Sequence, residues 1–346
     1  VIDELAALRS VRYTAAPSAL PPRRYVLLVS GSMNPPHAGH VRLGLQAAAR
    51  LRSEGHTVGA ICFAPVHDNY LLNKLALKRL RAKGTLRLDH TVIFSMEERC
   101  ALLREHIARE DAEQTKDCHV LDYECSTPAL LTESPGYWAK MKLPGGYLKT
   151  VPTTTLVKHF AQHSPLFAAQ PPGARIGLVF GVDNLAGMAA WNAPERLCAS
   201  ADLILLAREM ASVPMSPDPT QTLLRPLKYV EARIAVPVTY EERTLLGGES
   251  GSFVDEHCTE GDGALFLLPP LPGEDETLNS GDVRKAVAAR VAAEGAEADG
   301  AGALVSTLTK HGFPEASIER VLSAASVGEE AVKAMWDAAV ARGEKL

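Results

Sequence analysis

The hydrophobic pattern of residues 25–30 opens the regular part of the chain. The run "YVLLVS" is apolar at nearly every position, which is typical of a strand buried on both faces of a parallel sheet. From residue 40 the apolar positions recur three to four residues apart with arginines between them, and Gly55 follows where a helix would end. Strand, turn and helix in this order predict the opening of a βαβ unit.

The same alternation continues toward the C-terminus. Further strands are predicted at residues 57–66, 118–124, 175–183 and 201–209, and further helices at 95–107 and 152–163. Strands that alternate with helices favour a parallel sheet covered on both faces. The sequence therefore predicts an α/β fold with a Rossmann-like, doubly wound parallel sheet.

Two stretches interrupt the alternation. Residues 128–151 and 211–263 are rich in Pro, Gly and Ser, and we expect both to be insertions at the edge of the sheet. Beyond residue 290 the chain is Ala-rich and helical, and residues 329–343 place apolar side chains on one helical face.

These shifts in composition predict three parts. Residues 1–24 form an N-terminal arm, residues 25–290 the α/β domain, and residues 291–346 a helical segment that packs on this domain or on a partner. The apolar stripe on residues 329–343 suits packing on the same domain or on a partner. The partner would be a second copy of the chain or a larger complex.

Composition narrows the classes of partner. The 346 residues carry a formal charge of −5, so there is no global positive field to bind nucleic acid. No apolar run approaches the length of a membrane-spanning helix. The six cysteines show no zinc spacing and predict free thiols in a reducing compartment, cytoplasmic or nuclear. The arginines within residues 1–24 leave a mitochondrial location as the alternative.

The turn after the first strand carries the candidate chemistry. It reads "GSMNPPHAGH" and places His37 and His40 near the start of the following helix. In a parallel sheet, ligands bind beyond the carboxyl ends of the strands, and a helix N-terminus attracts anions. The lysine of a Walker A loop and a GxGxxG motif are both absent. We interpret the turn as a phosphate site in which imidazoles replace the lysine; a metal pair or a solvated loop is the alternative.

This turn resembles the GxFxPxHxGH signature of the nucleotidylyltransferase superfamily. Later segments are similar to one branch, the nicotinamide or nicotinate mononucleotide adenylyltransferases. The resemblance implies that Gly31, Ser32, His37 and His40 bind ATP and that both histidines are catalytic. It also implies that Ser32 and Met33 contact the mononucleotide, although Met33 stands where Phe is usual.

Two segments resemble the mononucleotide-binding part of that family. "APVHDNYLLNK" resembles "SPVGDAY", which lysines follow in the family, whereas Leu71 and Leu72 follow Tyr70 here. Lys74 would then hold the mononucleotide phosphate. "VLDYE" resembles "VDTWE", which implies that Tyr123 packs on the pyridine ring.

The segment "FGVDNLAGMAAW" resembles the family's "GADxLxxLxxW". The match implies that Gly181 and Asp183 bind the ATP ribose and that Trp191 stacks on the pyridine. An Asp just beyond a buried strand is also well placed to accept hydrogen bonds from ribose hydroxyls. Capping of the next helix is the alternative role for Asp183.

The segment "TLNSGDVRKAV" resembles the late "ISSTxxR" motif, with Asn279 and Gly281 in place of a Ser and a Thr. The match implies that Ser280 caps a helix facing the β- and γ-phosphates. Arg284 would add a charge-assisted contact there and act as a third catalytic residue. Mg²⁺ would accompany ATP, without a protein metal site.

The resemblance implies adenylyl transfer from ATP to nicotinamide or nicotinate mononucleotide, a step of NAD biosynthesis. Two alternatives stay open. One is transfer of an adenylyl or cytidylyl group to another phosphorylated acceptor. The other is a catalytically weakened subunit of a larger assembly, which the changes at Met33, Leu71, Leu72 and residues 278–281 motivate.

Overall fold

The structure is a computed structural model. It describes residues 22–82, 87–131, 146–181, 184, 197, 200–206, 278–293, 299–314 and 317–345, and the backbone of 233–235 and 264–268. In this part of the chain the strands are β1 Arg24–Gly31, β2 Thr57–Pro65, β3 Ile93–Phe94, β4 Cys118–Val120, β5 Arg175–Gly181, β6 Asp202–Leu206, β7 Arg233–Ala235, β8 Ala264–Leu268 and β9 Ala325–Ser326.

The helices complete the alternation. They are α1 Ala38–Ser53, α2 Asp68–Arg81, α3 Met96–Ile107, α4 Ala112–Thr115, α5 Tyr123–Ser126, α6 Thr153–His163, α7 Pro165–Ala168, α8 Ser280–Ala292, α9 Asp299–Lys310, α10 Ile318–Ala324 and α11 Glu329–Ala341. Short 3₁₀ turns lie at Leu88–Thr91 and Pro128–Leu130.

The larger sheet has seven strands in the order β4-β2-β1-β5-β6-β8-β7. Strands β1, β5, β6 and β8 pair in parallel, with Val29 opposite Val179 and Ile204 opposite Phe266. Strand β7 pairs antiparallel with β8 at one edge. Residues 25–29 are buried, as expected of a central strand in a sheet that is covered on both faces. These features confirm the predicted α/β class and Rossmann-like sheet.

Most predicted elements form as expected. The exception is 118–124, where the strand ends at Val120 and Tyr123 begins a short helix. Strand β7 lies within the predicted insertion 211–263, so part of that segment supplies the edge strand.

The chain divides into two compact units. The first comprises Val1–Val29, Leu43–Cys62 and Pro152–Glu276, and the second comprises Ser30–Arg42, Phe63–Val151 and Thr277–Leu346. The predicted boundaries at residues 24 and 290 stay predictions, and residues 1–21 lie outside the described part.

The core of the second unit joins segments that are far apart in sequence. One cluster is built from β3, α3 and the C-terminal helices, and includes Phe94, Val287, Leu308 and Phe313. A second cluster packs α11 on α2 through Trp336, Met335 and Ala339. The apolar stripe on residues 329–343 therefore covers this unit, with Val340 38% exposed. Within the described residues, no helix is long and apolar enough to cross a bilayer.

Candidate functional site

The turn between β1 and α1 is held by the side chain of Asn34. Its Nδ2 donates to the carbonyl of Val92 at 2.9 Å, and its Oδ1 accepts from the backbone N–H of Phe94, also at 2.9 Å. Asn34 thus pairs with β3 as a neighbouring strand would. Met33, which precedes it, is 3% exposed and has φ of 42°, the left-handed region uncommon for a side chain of this kind. The turn is therefore fixed by packing and hydrogen bonds rather than being a solvated loop.

Donors from elsewhere in the second unit occupy the carbonyls of this turn. They are Val66 N–H to Gly31 O at 3.0 Å, Arg99 Nη1 to Ser32 O at 2.9 Å, Arg284 Nη1 to Asn34 O at 2.6 Å, and Ser280 Oγ to Pro35 O at 2.8 Å. Two of these donors lie more than 240 residues beyond the turn in the sequence. The structure therefore brings the predicted site residues Ser280 and Arg284 to the turn that carries His37 and His40.

The two histidines are in ring contact. Their ring centroids are 4.0 Å apart and the rings are tilted by 52°. The backbone N–H of His37 donates to Nδ1 of His40 at 3.2 Å. Because Nδ1 accepts, the neutral ring of His40 carries its proton on Nε2 as a donor. His37 is 2% exposed, so its ring lies inside the protein and cannot act as an incidental surface histidine.

The N-terminus of α8 differs from the prediction in one detail. Asn279 caps the helix, with Oδ1 accepting from the N–H of Asp282 at 2.9 Å. Ser280 is the first helical residue, and its hydroxyl donates to Pro35 instead of capping. The prediction that Ser280 is the cap was wrong, because Asn is an equally strong capping residue and stands one position earlier.

Positive charge accumulates beside Arg284. Burial lowers the pKa of Arg284, and Asp89 partly offsets this. Burial also lowers the pKa of Lys78, followed by repulsion from Arg284. The pKa of His90 is also lowered, first by burial and then by Lys78. One carboxylate, that of Asp89, opposes these shifts in all three cases. Arg284 and Lys78 are thus two partly buried cations close to each other, which favours a bound anion.

Lys74 and Tyr70 lie on α2, which follows β2. Lys74 Nζ donates to Ser32 Oγ at 3.4 Å and lies 6.0 Å from the Tyr70 ring centroid. Leu71 and Leu72, which stand where the family has lysines, are 4% and 2% exposed and belong to the core with α11. The helix therefore uses these two positions for packing, and Lys74 is the residue that reaches Ser32.

Behind the turn lies a buried polar set that sequence reasoning only partly identified. Arg99 is fully buried and bonds to the carbonyls of Ser32, Phe94 and Val66 and to the carboxylate of Asp68. A charged residue on the apolar face of an amphipathic helix is the sequence signal for a buried group of this kind. Arg99 thus connects the turn to β3, to α2 and to the residue that follows β2.

Glu124 is the second member of this set. Its Oε2 accepts from the N–H of His67 at 2.6 Å. Burial raises its pKa to about 8, although the His67 bond and Arg99 act in the opposite direction. Its neighbour Tyr123, predicted to pack on the pyridine, is half-buried at the start of α5. The sequence alone did not single out Glu124.

His311 is a further residue that the sequence did not indicate. It follows α9, is 2% exposed, and its ring centroid lies 5.8 Å from that of His37 with the rings nearly perpendicular. Its backbone carbonyl accepts from the N–H of Ala38 at 3.1 Å. Its Nε2 accepts from the N–H of Asn279 at 3.3 Å. His311 thus contacts the N-termini of both α1 and α8.

Of the predicted site residues not yet placed, Gly181 lies in the described part of the chain. Gly181 is the last residue of β5 in the first unit, and its carbonyl accepts from Asn184 Nδ2 at 3.1 Å. Asp183 and Trp191 lie outside the described residues. Within the described part of the chain, no group of three or more His, Cys, Asp or Glu side chains is arranged to hold a metal ion.

Comparison with known proteins gives a distant structural likeness. No protein-family model matches the chain, and no curated protein matches it. A Plasmodium falciparum nicotinic acid mononucleotide adenylyltransferase complexed with NaAD is similar in structure, with 10% identity, a TM-score of 0.45, and coverage of 87% of this chain and 96% of that one. The same enzyme complexed with APC has 10% identity and a TM-score of 0.40, covering 76% and 83%. Likeness at this level assigns no role to any residue of this chain.

Proposed function

We propose that this protein transfers an adenylyl group from ATP to nicotinamide or nicotinate mononucleotide, giving NAD or its deamido form and pyrophosphate. One observation carries the proposal. Ser280 and Arg284 contact the same turn that holds His37 and His40. Three donor side chains from distant parts of the sequence, Arg99, Ser280 and Arg284, meet at the turn that follows β1. The strand order of the sheet reverses at β1. The carboxyl end of a strand at such a point is where parallel sheets of this kind bind ligands.

The reaction needs no covalent enzyme intermediate. An oxygen of the mononucleotide 5′-phosphate attacks the α-phosphorus of ATP in line. The new P–O bond forms as the bond from the α-phosphorus to the bridging oxygen breaks, and pyrophosphate leaves with that oxygen and the negative charge. Catalysis of this kind depends on positioning and on stabilising charge at the phosphoryl oxygens.

Different residues of the site position the substrates and stabilise the charge. His40 donates from Nε2 to an α- or β-phosphate oxygen, and His37 lies against it to support the same charge. Arg284, with Lys78 nearby, balances the negative charge of the departing pyrophosphate. Lys74 and Ser32 hold the mononucleotide phosphate, and Tyr123 offers an aromatic face to the pyridine. Gly31 leaves room at the end of β1, since the nearest atom to an added Cβ is Met33 Cγ at 4.0 Å.

Magnesium enters as part of the substrate, Mg-ATP. The described residues offer no carboxylate cage, so the ion would be held by phosphate oxygens and water. Asp183 and Gly181 would bind the ribose and Trp191 the pyridine, as the sequence resemblance implies.

The test is an adenylation assay with the purified chain, Mg-ATP and each mononucleotide in parallel. We expect dinucleotide and pyrophosphate in equal amounts. The His40→Ala variant should be at least about a hundredfold slower, as for loss of one donor to a developing charge. His163→Ala, on α6, is the matched control and should retain activity. Wild-type turnover no greater than that of His40→Ala would refute the proposal.

A second candidate function is a subunit of a larger assembly that keeps the fold with weakened chemistry. The observation that favours it is the burial of Leu71 and Leu72 in the core, at positions where the family that the sequence resembles has lysines. Size-exclusion chromatography of the native protein from cell extract distinguishes the two. Elution only as a small oligomer, together with dinucleotide synthesis, would eliminate this candidate.

A further inference from the structure

The ring of His311 makes two hydrogen bonds that require one tautomer. Its Nδ1 lies 2.8 Å from the carbonyl of Thr307, and a carbonyl only accepts. Its Nε2 lies 3.3 Å from the N–H of Asn279, which only donates. The two bonds are satisfied together by a neutral imidazole with the proton on Nδ1. Both ring nitrogens therefore have defined roles, which a histidine that merely fills space does not need.

These bonds join the two helix starts of the candidate site. The ring contacts Asn279, the cap of α8, one residue before Ser280 and five before Arg284. The backbone carbonyl contacts Ala38, the first residue of α1, one residue after His37. The ring also lies edge-on to that of His37. One residue thus touches both segments that carry the proposed phosphate donors.

We propose that His311 is a positioning residue for adenylyl transfer, fixing the start of α8 relative to the start of α1. This inference rests on the proposed function for its kinetic consequence. His311 acts through its neighbours: it holds Asn279, and through the cap it sets Ser280 and Arg284 against the turn. Errors of about 1 Å in such positions reduce rates by about a hundredfold.

The residues that follow His311 pack tightly beside the start of α1. Gly312 has φ of +84°, and a Cβ added there would lie 2.8 Å from the Cβ of Ala38. Arg109 Nη1 donates to the carbonyl of Gly312, and Phe313 packs edge-on against His106. His106 remains neutral, since burial lowers its pKa to about 4. The segment after α9 is therefore pressed against the first turn of α1, with glycine required at the point of contact.

Three substitutions of His311 test its two ring hydrogen bonds one at a time and together. His311→Gln places an amide near the position of Nε2 and keeps an acceptor for Asn279. His311→Asn keeps a group near Nδ1 for Thr307 but loses the contact with Asn279. His311→Leu loses both. Leu308→Ala, in the same core, is a control that destabilises the unit without touching either bond.

We expect His311→Gln to keep kcat within a few fold of wild type. His311→Asn and His311→Leu should lose about ten- to a hundredfold in kcat with a smaller change in KM for ATP, because His311 does not contact the substrate. Leu308→Ala should keep kcat per folded molecule. If the Asn variant matches the Gln variant, or if Leu308→Ala loses kcat as His311→Leu does, the inference is overturned.

A second measurement does not depend on activity. In the full-length protein with ¹⁵N-labelled histidine, the ring of His311 should show the neutral tautomer with the proton on Nδ1. The amide of Asn279 should be protected from hydrogen exchange in wild type and in His311→Gln, and exposed in His311→Asn. If wild type makes no dinucleotide, the proposed function fails. The tautomer of His311 and the protection of the Asn279 amide then still test whether His311 holds the start of α8. The other tautomer, or an unprotected Asn279 amide, would refute the inference.

Discussion

Arg284 Nη1 donates to the backbone carbonyl of Asn34 at 2.6 Å, across 250 residues of sequence. Asn34 in turn pairs with β3 through its side chain. The contact joins α8 to the turn that carries the two histidines. Arg284 therefore has two roles in our proposal: it stabilises the turn and supplies positive charge to the phosphates.

We expect Arg284→Ala to lower the free energy of unfolding by about 1.5–3 kcal/mol, the usual contribution of a hydrogen bond to a charged group. It should also reduce kcat/KM for ATP. Arg284→Lys keeps the charge but has no planar fork, so it should recover only part of both losses. Urea unfolding and steady-state kinetics measure the two effects. A Lys variant equal to wild type in both would contradict a role for the guanidinium geometry.

Lys78→Met tests the cluster of cations around Arg284. Burial, and then repulsion from Arg284, lower the pKa of Lys78. Removing this charge relieves both costs, so the variant without ligand should be at least as stable as wild type. Pyrophosphate should raise its Tm less than it raises that of wild type, because one cation that favours the anion is gone.

The control for this prediction is Lys333→Met, which makes the same change of charge on the exposed face of α11. It should leave the stabilisation by pyrophosphate unchanged. Equal shifts of Tm in wild type and Lys78→Met would show that Lys78 does not contribute to anion binding.

Glu124→Gln should remove a pH dependence of stability. The pKa of Glu124 rises from its usual 4.5 to about 8 in the folded protein, so the folded state binds the extra proton between these values. Its contribution to stability is full below pH 4.5 and is lost as the pH rises through about 8. The Gln side chain stays neutral and still accepts from His67. The free energy of unfolding of the variant should exceed that of wild type by a few kcal/mol at high pH, and the two should differ little at pH about 5.

Urea unfolding of both proteins at several pH values between about 5 and 8.5 measures this difference. His67 is present in both proteins, so its own titration cancels in the comparison. A difference that stays constant with pH would mean that Glu124 is ionised in the folded state throughout this range.

Asp202→Asn should strongly destabilise the first unit. The carboxylate is fully buried and accepts from Arg23 Nη1 at 2.8 Å, Tyr25 Oη at 2.7 Å and Arg175 Nη2 at 2.8 Å. Its replacement by an amide leaves two guanidinium groups without their counter-charge, at a cost of about 3–5 kcal/mol. Chemical denaturation measures the loss. Asp337→Asn, on the exposed face of α11, is the control and should change stability little.

Local pattern predicted the elements of this fold well. The continuous apolar run at residues 25–30, the helical spacing that ends before Gly55 and the cap at Ser95 depend on neighbours within a few residues of sequence. Such features are encoded by side-chain period and by capping chemistry, which a single sequence displays. Where two capping residues stood side by side, at Asn279 and Ser280, local chemistry did not decide between them, and the contact of Ser280 with Pro35 did.

The sequence by itself determined the alternation of strands and helices, the turn with His37 and His40, and the residue types that suit phosphate. The tertiary structure decided which of these residues meet. It placed Arg284 on Asn34, Lys74 on Ser32 and His311 between two helix starts, and it buried Leu71 and Leu72 in the core. These pairings depend on how distant segments pack. Local periodicity reports only neighbours in sequence, so it does not predict a contact across 250 residues.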